Sequence, residues 1–324
     1  MYTFEELQDL VRERMAKQNF IDVPEKLFEP IDYILEDGGK RLRPTLLLMA
    51  TNLYKDDIEK SIIPAIGVEI FHNYTLLHDD VMDDADIRRG RPTVHKKWDK
   101  NVAILSGDAA AITAYMYLVT CEDKYLRSAI STFNNVAMDV CKGQQYDMEF
   151  ETRMDVTVEE YVHMIYLKTA ALIAGSLKLG AAFGDASEKE QDMLYDFGKY
   201  LGIAFQLQDD HLDAYGDVKT FGKKIGGDII SNKKTFLLIS AMKLAKGEQK
   251  ERLLAQINAT DFNEEDKIKT VTEIYNELGI EKLVKEEIVK YIDKSIEILN
   301  DINVSEDRKV ILLEMVTILK DRIY

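Results

Sequence analysis

Apolar residues recur every three or four positions along almost the whole chain. In "YTFEELQDLVRERMAKQ" they fall at Phe4, Leu7, Leu10, Val11 and Met15, the i, i+3, i+4 spacing that lays one stripe along an α-helix. The same period predicts further helices over 24–36, 44–54, 61–83, 101–119, 125–149, 157–181, 187–213, 233–246, 249–257, 263–277, 280–300 and 306–322. Period-two alternation of β-branched residues is nearly absent. No Ser/Pro-rich linker, composition shift or fixed-length repeat divides the chain. The expectation is an all-α protein, one domain over 1–324 built as a single large helical bundle. The acidic, Lys/Glu-laced stretch 247–324 reads as an outer layer of solvated helices.

Composition sharpens this picture. The chain has 17 Gly and 5 Pro in 324 residues, below the usual ~7% and ~5%, so long helices with short connections follow. A formal net charge of −16 argues against a nucleic-acid binder, which needs a basic face to release counterions. An anionic ligand must instead be met by locally placed Lys and Arg. Cys121 and Cys141 give neither a disulfide framework nor a metal spacing, and read as helix-packing thiols in a reducing, cytoplasmic setting. "MYTFEELQDLVRERM" lacks the basic-then-apolar order of a signal peptide. No run of ~18 uninterrupted apolar residues predicts a membrane span; "VAILSGDAAAITAYMYLV" comes nearest and contains Asp108.

The candidate chemistry starts in "NYTLLHDDVMDDADIRRGRPTVH", residues 73–95. On the helix expected from Ser61, Asp79 and Asp83 are i, i+4 and share a face, and Asp80 and Asp84 form a second such pair beside them. Like charges at this spacing repel. His72, seven residues before Asp79, lies on the same face. A solvated helix end and a metal site remain alternatives for these acids alone, although the apolar run Tyr74 to Leu77 implies burial. A second cluster in "LGIAFQLQDDHLDAYGDVKTFGKKIGGD" repeats the arrangement with Asp209, Asp210 and Asp213. Mg²⁺ takes one or two carboxylates together with phosphate oxygens and waters. Two such carboxylate faces opposed across a bundle would clamp Mg²⁺ around one diphosphate.

Basic segments follow or precede each acid motif. "EDGGKRLRPTLLL" ends a helix at Gly38–Gly39, presents Lys40, Arg41 and Arg43, and starts the next helix at Pro44, where free N–H groups favour an anion. "RRGRPTVH" adds Arg88, Arg89 and Arg91; "GKKIGGDIISNKKT" adds Lys223, Lys224 and Lys233. Singly each reads as a solvated loop. Interleaved with two acid motifs in an acidic chain, they indicate that more than one phosphate group is bound.

"GGKRLRP", "LLHDDVMDDADIRRGRPTVH", "KTA" at 168–170 and "FQLQDDHLD…GKKIGGD…NKKT" together resemble, in order and over about residues 38–237, the motif set of the trans-isoprenyl diphosphate synthases, or polyprenyl synthetases, of the short-chain farnesyl/geranylgeranyl type. The resemblance implies the isoprenoid synthase fold, a helical bundle around a central active-site cavity, and a homodimer. It implies condensation of isopentenyl diphosphate with C5–C15 allylic diphosphates by ionisation, condensation and elimination, using Mg²⁺, about three ions per site. By similarity Asp79, Asp83 and Asp209 would ligate Mg²⁺, with Asp80 and Asp213 supporting. Arg88, Lys168 and Lys233 would hold the allylic diphosphate, joined by Lys223 or Lys224, a choice left open by the extra Lys in "GKKIG". Lys40, Arg43, His72 and Arg89 would hold isopentenyl diphosphate. Thr169 and Gln206 would aim oxygen dipoles at the carbocation. The bland roles are a back-bond within its helix for Thr169 and a satisfied core position for His72.

Tyr74 lies five residues before Asp79, so its Cα is ~7.5 Å farther along the helix. With small Thr75 beside it, Tyr74 would floor the pocket and limit the product to C15 or C20, or would instead point into the helix packing. Other readings compete. "EIFH" at 69–72 and "EYVH" at 160–163 match the Glu-x-x-His element of di-iron carboxylate bundles, but leave the basic loops unexplained. A class I terpene cyclase would be expected to replace the second aspartate motif, and a non-catalytic subunit of a heteromeric synthase to have degraded both.

Overall fold

The computed structural model describes residues 1–36, 39–216 and 225–321. Along the first part of the chain run α1 (Phe4–Ala16), α2 (Glu25–Glu36), α3 (Leu42–Tyr54), α4 (Glu59–Met82), β1 (Ile87–Arg88), β2 (Arg91–Pro92), α5 (Val94–Lys97) and α6 (Lys100–Leu118). Next come α7 (Asp123–Thr152), α8 (Val158–Ile165), a π turn (Tyr166–Ala170), α9 (Ala171–Phe183) and α10 (Glu188–Tyr215). The remainder forms α11 (Gly227–Ile230), α12 (Phe236–Leu244), α13 (Gly247–Asn258), α14 (Glu264–Glu277), α15 (Ile280–Asp301) and α16 (Glu306–Asp321). Each predicted helix is present, with ends shifted by up to three residues, except that the segment expected as one helix over 157–181 is two helices joined by the π turn. Among the described residues the only strands are β1 and β2, a two-residue antiparallel ribbon pairing Arg88 with Arg91.

The chain groups into two compact units, each discontinuous in sequence. The first comprises Met1–Val136, Leu172–Tyr195 and Ile302–Leu312. Its α1 starts at a capping box in which Thr3 accepts from Glu6 N–H and Glu6 accepts from Thr3 N–H, satisfying two orphan donors. α3 is buried from Pro44 through Leu53, as befits a helix that is apolar all round. α4 packs along α6. The two backbones come so close at Gly67 that an added Cβ would sit 2.8 Å from the Ala114 carbonyl, and α6 answers with Ala103, Gly107, Ala110 and Ala114, all buried.

The second unit comprises Ala137–Ala171, Asp196–Asp301 and Leu313–Tyr324. Thr157 and Glu160 form the capping box that opens α8, and the Arg153 guanidinium closes on both Glu160 oxygens at 2.9 and 3.3 Å. α12 packs on α8 and α15. The acidic segment expected to be solvated carries a buried stripe in α14 and α15, namely Val271, Ile274, Tyr275, Ile280, Val284 and Ile288; Lys267 is buried as well, its ammonium donating to the Ile230 carbonyl at 3.1 Å. Among the described residues, Val158–Phe183 is the one helical stretch long and apolar enough to cross a membrane, and 78% of its apolar window is buried in the protein. Cys121 is buried, while Cys141 is exposed and does not pack as expected.

Candidate active site

In the first unit the site grows from the C-terminal end of α4. Asp79 and Asp80 lie in its last turn, and Asp83 caps it in helical geometry, its N–H donating to the Asp79 carbonyl at 2.8 Å. Asp79 and Asp83 therefore do stack as predicted. This is the negative end of the helix dipole, where carboxylates are disfavoured unless a cation meets them. Asp84 departs from the expected pairing with Asp80: it lies beyond the helix with φ 49° and turns to Lys96 and Lys100 at 3.4 and 3.3 Å. Those two lysines hold its carboxyl below the ordinary range. Asp80 is buried and takes the Arg88 guanidinium at 2.7 Å.

The ribbon that carries Arg88 turns at Arg89 and Gly90, both with positive φ, the two-residue hairpin geometry that suits strand twist. It is pinned to α2: Tyr33 Oη donates to the Pro92 carbonyl at 2.9 Å, and the Arg91 guanidinium lies over the Tyr33 ring at 3.9 Å. Arg89 reaches the backbone at Gly39, where a Cβ would stand 3.0 Å from its guanidinium. Arg43 meets His72 Nε2 at 3.0 Å. Burial and then the four arginines 43, 89, 88 and 41 hold His72 well below its ordinary pKa. Arg43 is pushed down to about 10 by burial and Arg89, with Glu69 opposing. Asn73, Leu76, Asp80, Arg88 and Arg89 border one narrow cleft.

Two sequence expectations need correction here. α3 begins at Leu42, so Pro44 is its third residue and not its first. Arg41 is not offered to a ligand: it is buried, ion-paired to Glu69 at 2.9 Å and donating to the Leu35 carbonyl. Lys40 is exposed, and its carbonyl accepts from Gln8. Glu69 is thus bound to Arg41 and Asn73, and Glu160 to Arg153, so both Glu-x-x-His matches serve packing and capping.

In the second unit Lys168 and Thr169 sit on the π turn, in which Ala171 N–H reaches back to the Tyr166 carbonyl. Such widened turns recur at functional sites. Lys168 Nζ pairs with Asp147 at 2.6 Å. Thr169 does not back-bond; its hydroxyl donates to Gln206 Oε1 at 3.0 Å. Gln206 Nε2 donates to Asp210 Oδ1 at 3.0 Å, and Tyr161 Oη donates to Asp210 Oδ2. Asp213 Oδ2 accepts the Asp228 N–H at 2.9 Å. Burial first and then Asp228 push the Asp210 carboxyl up, while the hydrogen bonds from Tyr161 and Gln206 and the charge of Lys233 favour its ionised form. Asp228 rises to about 6 through burial, with Asp213, Asp209 and Asp147 adding to the effect and Lys233 opposing it. Lys223 and Lys224 lie outside the described residues.

The donors fit Mg²⁺. They are hard carboxylate oxygens, and their mutual repulsion, visible in Asp228, is the kind a divalent cation relieves. Among the described residues no three His, Cys, Asp or Glu groups are placed to hold a metal ion; Mg²⁺ itself takes one or two carboxylates with phosphate and water oxygens. Asp147, Tyr161 and Asp228 are not legible as site residues in the sequence, and Asp210 is legible only as a member of the second acidic cluster.

A family model for polyprenyl synthetases matches residues 24–275. The chain is 40% identical over 258 residues, 79% of its length and 78% of the relative's, to a short chain isoprenyl diphosphate synthase of Methanocaldococcus jannaschii. Its fold is similar to a geranylgeranyl pyrophosphate synthase crystal structure, with TM-score 0.94, 40% identity and 99% of each chain covered. It is also similar to the geranylgeranyl pyrophosphate synthase from Corynebacterium glutamicum complexed with isoprenyl diphosphate and magnesium, with TM-score 0.88, 26% identity and 99% and 100% coverage.

Proposed function

Since the chain belongs to the polyprenyl synthetase family and is a short-chain trans-prenyltransferase, we propose that it condenses isopentenyl diphosphate with C5–C15 allylic diphosphates in a Mg²⁺-dependent reaction whose main product is geranylgeranyl diphosphate. The observation that carries this reading is the convergence of Arg43, His72, Arg88 and Arg89 beside the Asp79/Asp83 helix end. Crowded cations next to crowded carboxylates suit a diphosphate held with metal, and suit little else.

Asp79, Asp83 and Asp209 would hold the metal, with Asp80 and Asp213 in support. When bound, Mg²⁺ supplies Lewis-acid stabilisation of the leaving diphosphate. Arg88, Lys168 and Lys233 bind and orient the allylic diphosphate, so that its C1–O bond breaks with the electron pair leaving on oxygen. The oxygens of Thr169 and Gln206 face the allylic cation. Arg43, His72, Arg89 and Lys40 hold isopentenyl diphosphate with its double bond aimed at C1. Because His72 stays neutral, it donates or accepts a hydrogen bond without adding a charge to be neutralised. After the new C–C bond forms, the proton lost from C2 passes to the departed diphosphate.

Tyr74 sets the length. Its ring packs on His78 at 4.8 Å and on Phe71 at 5.3 Å, and Phe133 backs Phe71 at 4.9 Å, so the floor is braced. Products sized after incubation with Mg²⁺, isopentenyl diphosphate and C5, C10 or C15 starters test the whole reading; absence of turnover with every starter overturns it. In the same assay Tyr74→Ala is expected to move the main product beyond C20, and an unchanged distribution would remove the floor role.

The inverted amphipathicity of α6 supports a homodimer. Its small residues face α4, while Leu105, Ile112 and Met116 are 60%, 63% and 63% exposed. A second copy presenting the same stripe about a two-fold axis covers both. Ile112→Glu is expected to give a monomer in sedimentation velocity, whereas an unchanged dimer would place the interface elsewhere.

A further inference from the structure

The described side chains of the second unit contain a connected polar chain that runs away from the proposed reacting atoms into the core. It starts at Thr169 Oγ1, passes through the Gln206 amide and the Asp210 carboxylate, and ends at Tyr161 Oη. Tyr161 is 1% exposed and Asp210 4% exposed. Every link has a direction. A carboxylate only accepts, so the Gln206 group facing Asp210 must be its NH₂, and the group facing Thr169 must be its carbonyl. That carbonyl in turn draws the Thr169 proton toward itself and leaves the remaining Thr169 lone pairs directed elsewhere. Tyr161, donating to the second Asp210 oxygen, fixes the plane of the carboxylate. Both Asp210 oxygens thereby accept from a donor.

We propose that Tyr161 and Asp210 are positioning residues that set the polarity of the Gln206 amide, so that Gln206 and Thr169 present oxygen and not N–H to the carbocation. The proposal rests on the reading of Gln206 and Thr169 as cation-facing. The physical stake is the sign of a dipole. An amide turned by 180° has nearly the same shape and fills the same volume, but places a positive end toward a developing positive charge. In a water-poor pocket that reversal acts on the ionised state and hardly on substrate binding. A buried tyrosine that merely filled space would have no such selectivity.

A double-mutant cycle on kcat tests the relay. Tyr161→Phe keeps the ring and removes the donor. It is expected to lower kcat about tenfold, the range for losing an outer-layer partner, with KM for both substrates and the Mg²⁺ concentration for half-maximal rate within about twofold. In a Gln206→Ala background the same change is expected to cost less than about twofold, because the group it positions is gone. If the two effects multiply, or if Tyr161→Phe shifts the Mg²⁺ requirement, the relay is wrong. If Gln206→Ala slows turnover and Tyr161→Phe does not, the relay fails while the role of Gln206 stands. If Gln206→Ala leaves kcat unchanged, the cation-facing reading fails and the relay with it. Should Tyr161→Phe not fold, Asp210→Asn serves the same cycle: a kcat loss at constant Mg²⁺ requirement that vanishes with Gln206→Ala supports the relay, and any other pattern overturns it.

Discussion

Asp79→Asn is expected to lower kcat by about three orders of magnitude, the equivalent of about 4 kcal/mol of transition-state stabilisation, and to raise the Mg²⁺ concentration needed for half-maximal rate. The carboxylate lies in the last turn of α4, where the carbonyl ends of the helix already present partial negative charge. Asparagine keeps the shape and one oxygen but removes the charge that draws a divalent ion. Asp84→Asn is the matched control: its carboxylate turns to Lys96 and Lys100, and turnover is expected to stay within about twofold of the parent because its partners are surface lysines. Comparable losses in both variants, or more than a tenth of parental activity in Asp79→Asn, would sink the metal assignment.

The second large effect is expected from one methyl group. Gly143 of α7 lies against the π turn so closely that a Cβ would stand 2.2 Å from Lys168 N, 2.6 Å from Lys168 Cα and 2.8 Å from Leu167 C. These are backbone atoms, and no rotamer change relieves the overlap. Contact at a normal carbon separation of about 3.5 Å requires the turn or α7 to move by roughly 1 Å. A displacement of that size at a positioning group costs about 10²-fold in rate, and here it falls on Lys168 and Thr169 together. Overpacking costs about 1–3 kcal/mol, offset in part by the roughly 1 kcal/mol better helix propensity of alanine. Gly143→Ala is therefore expected to stay folded by circular dichroism while kcat drops about 100-fold. Parental kcat in a folded variant would show that the π turn tolerates the shift.

The pattern of the chain reveals a great deal, and its failures have a common cause. Apolar spacing located the helices because it reports which face of a segment is buried. It placed Asp79 beside Asp83 and Asp209 beside Asp213 for the same local reason. It was silent on the π turn, because one extra residue in a turn leaves the mixed segment 166–170, in which only Leu167 and Ala170 are buried, looking like any other helical stretch. It misplaced Asp84, whose left-handed backbone is fixed by lysines 12 and 16 positions away. It gave Arg41 and Arg43 equal standing, although Glu69 takes one into the core and leaves the other beside His72. Asp147, Tyr161 and Asp228 escaped notice because their meaning lies entirely in partners on other helices, and no spacing encodes a partner.

The ribbon at Ile87–Pro92 has a final consequence. Arg88 and Arg89 are neighbours in sequence, yet one grips Asp80 on α4 and the other lies over the backbone of Gly39. Their division of labour is a matter of parity: it depends on an odd or even count of residues from the anchor at Thr93, whose hydroxyl holds the Ala85 carbonyl at 2.6 Å. Adding a single uncharged residue between these anchors would conserve every charge and is expected to exchange the two addresses. Residues 85–93 thus work as a ruled spacer, in which length carries information that composition does not.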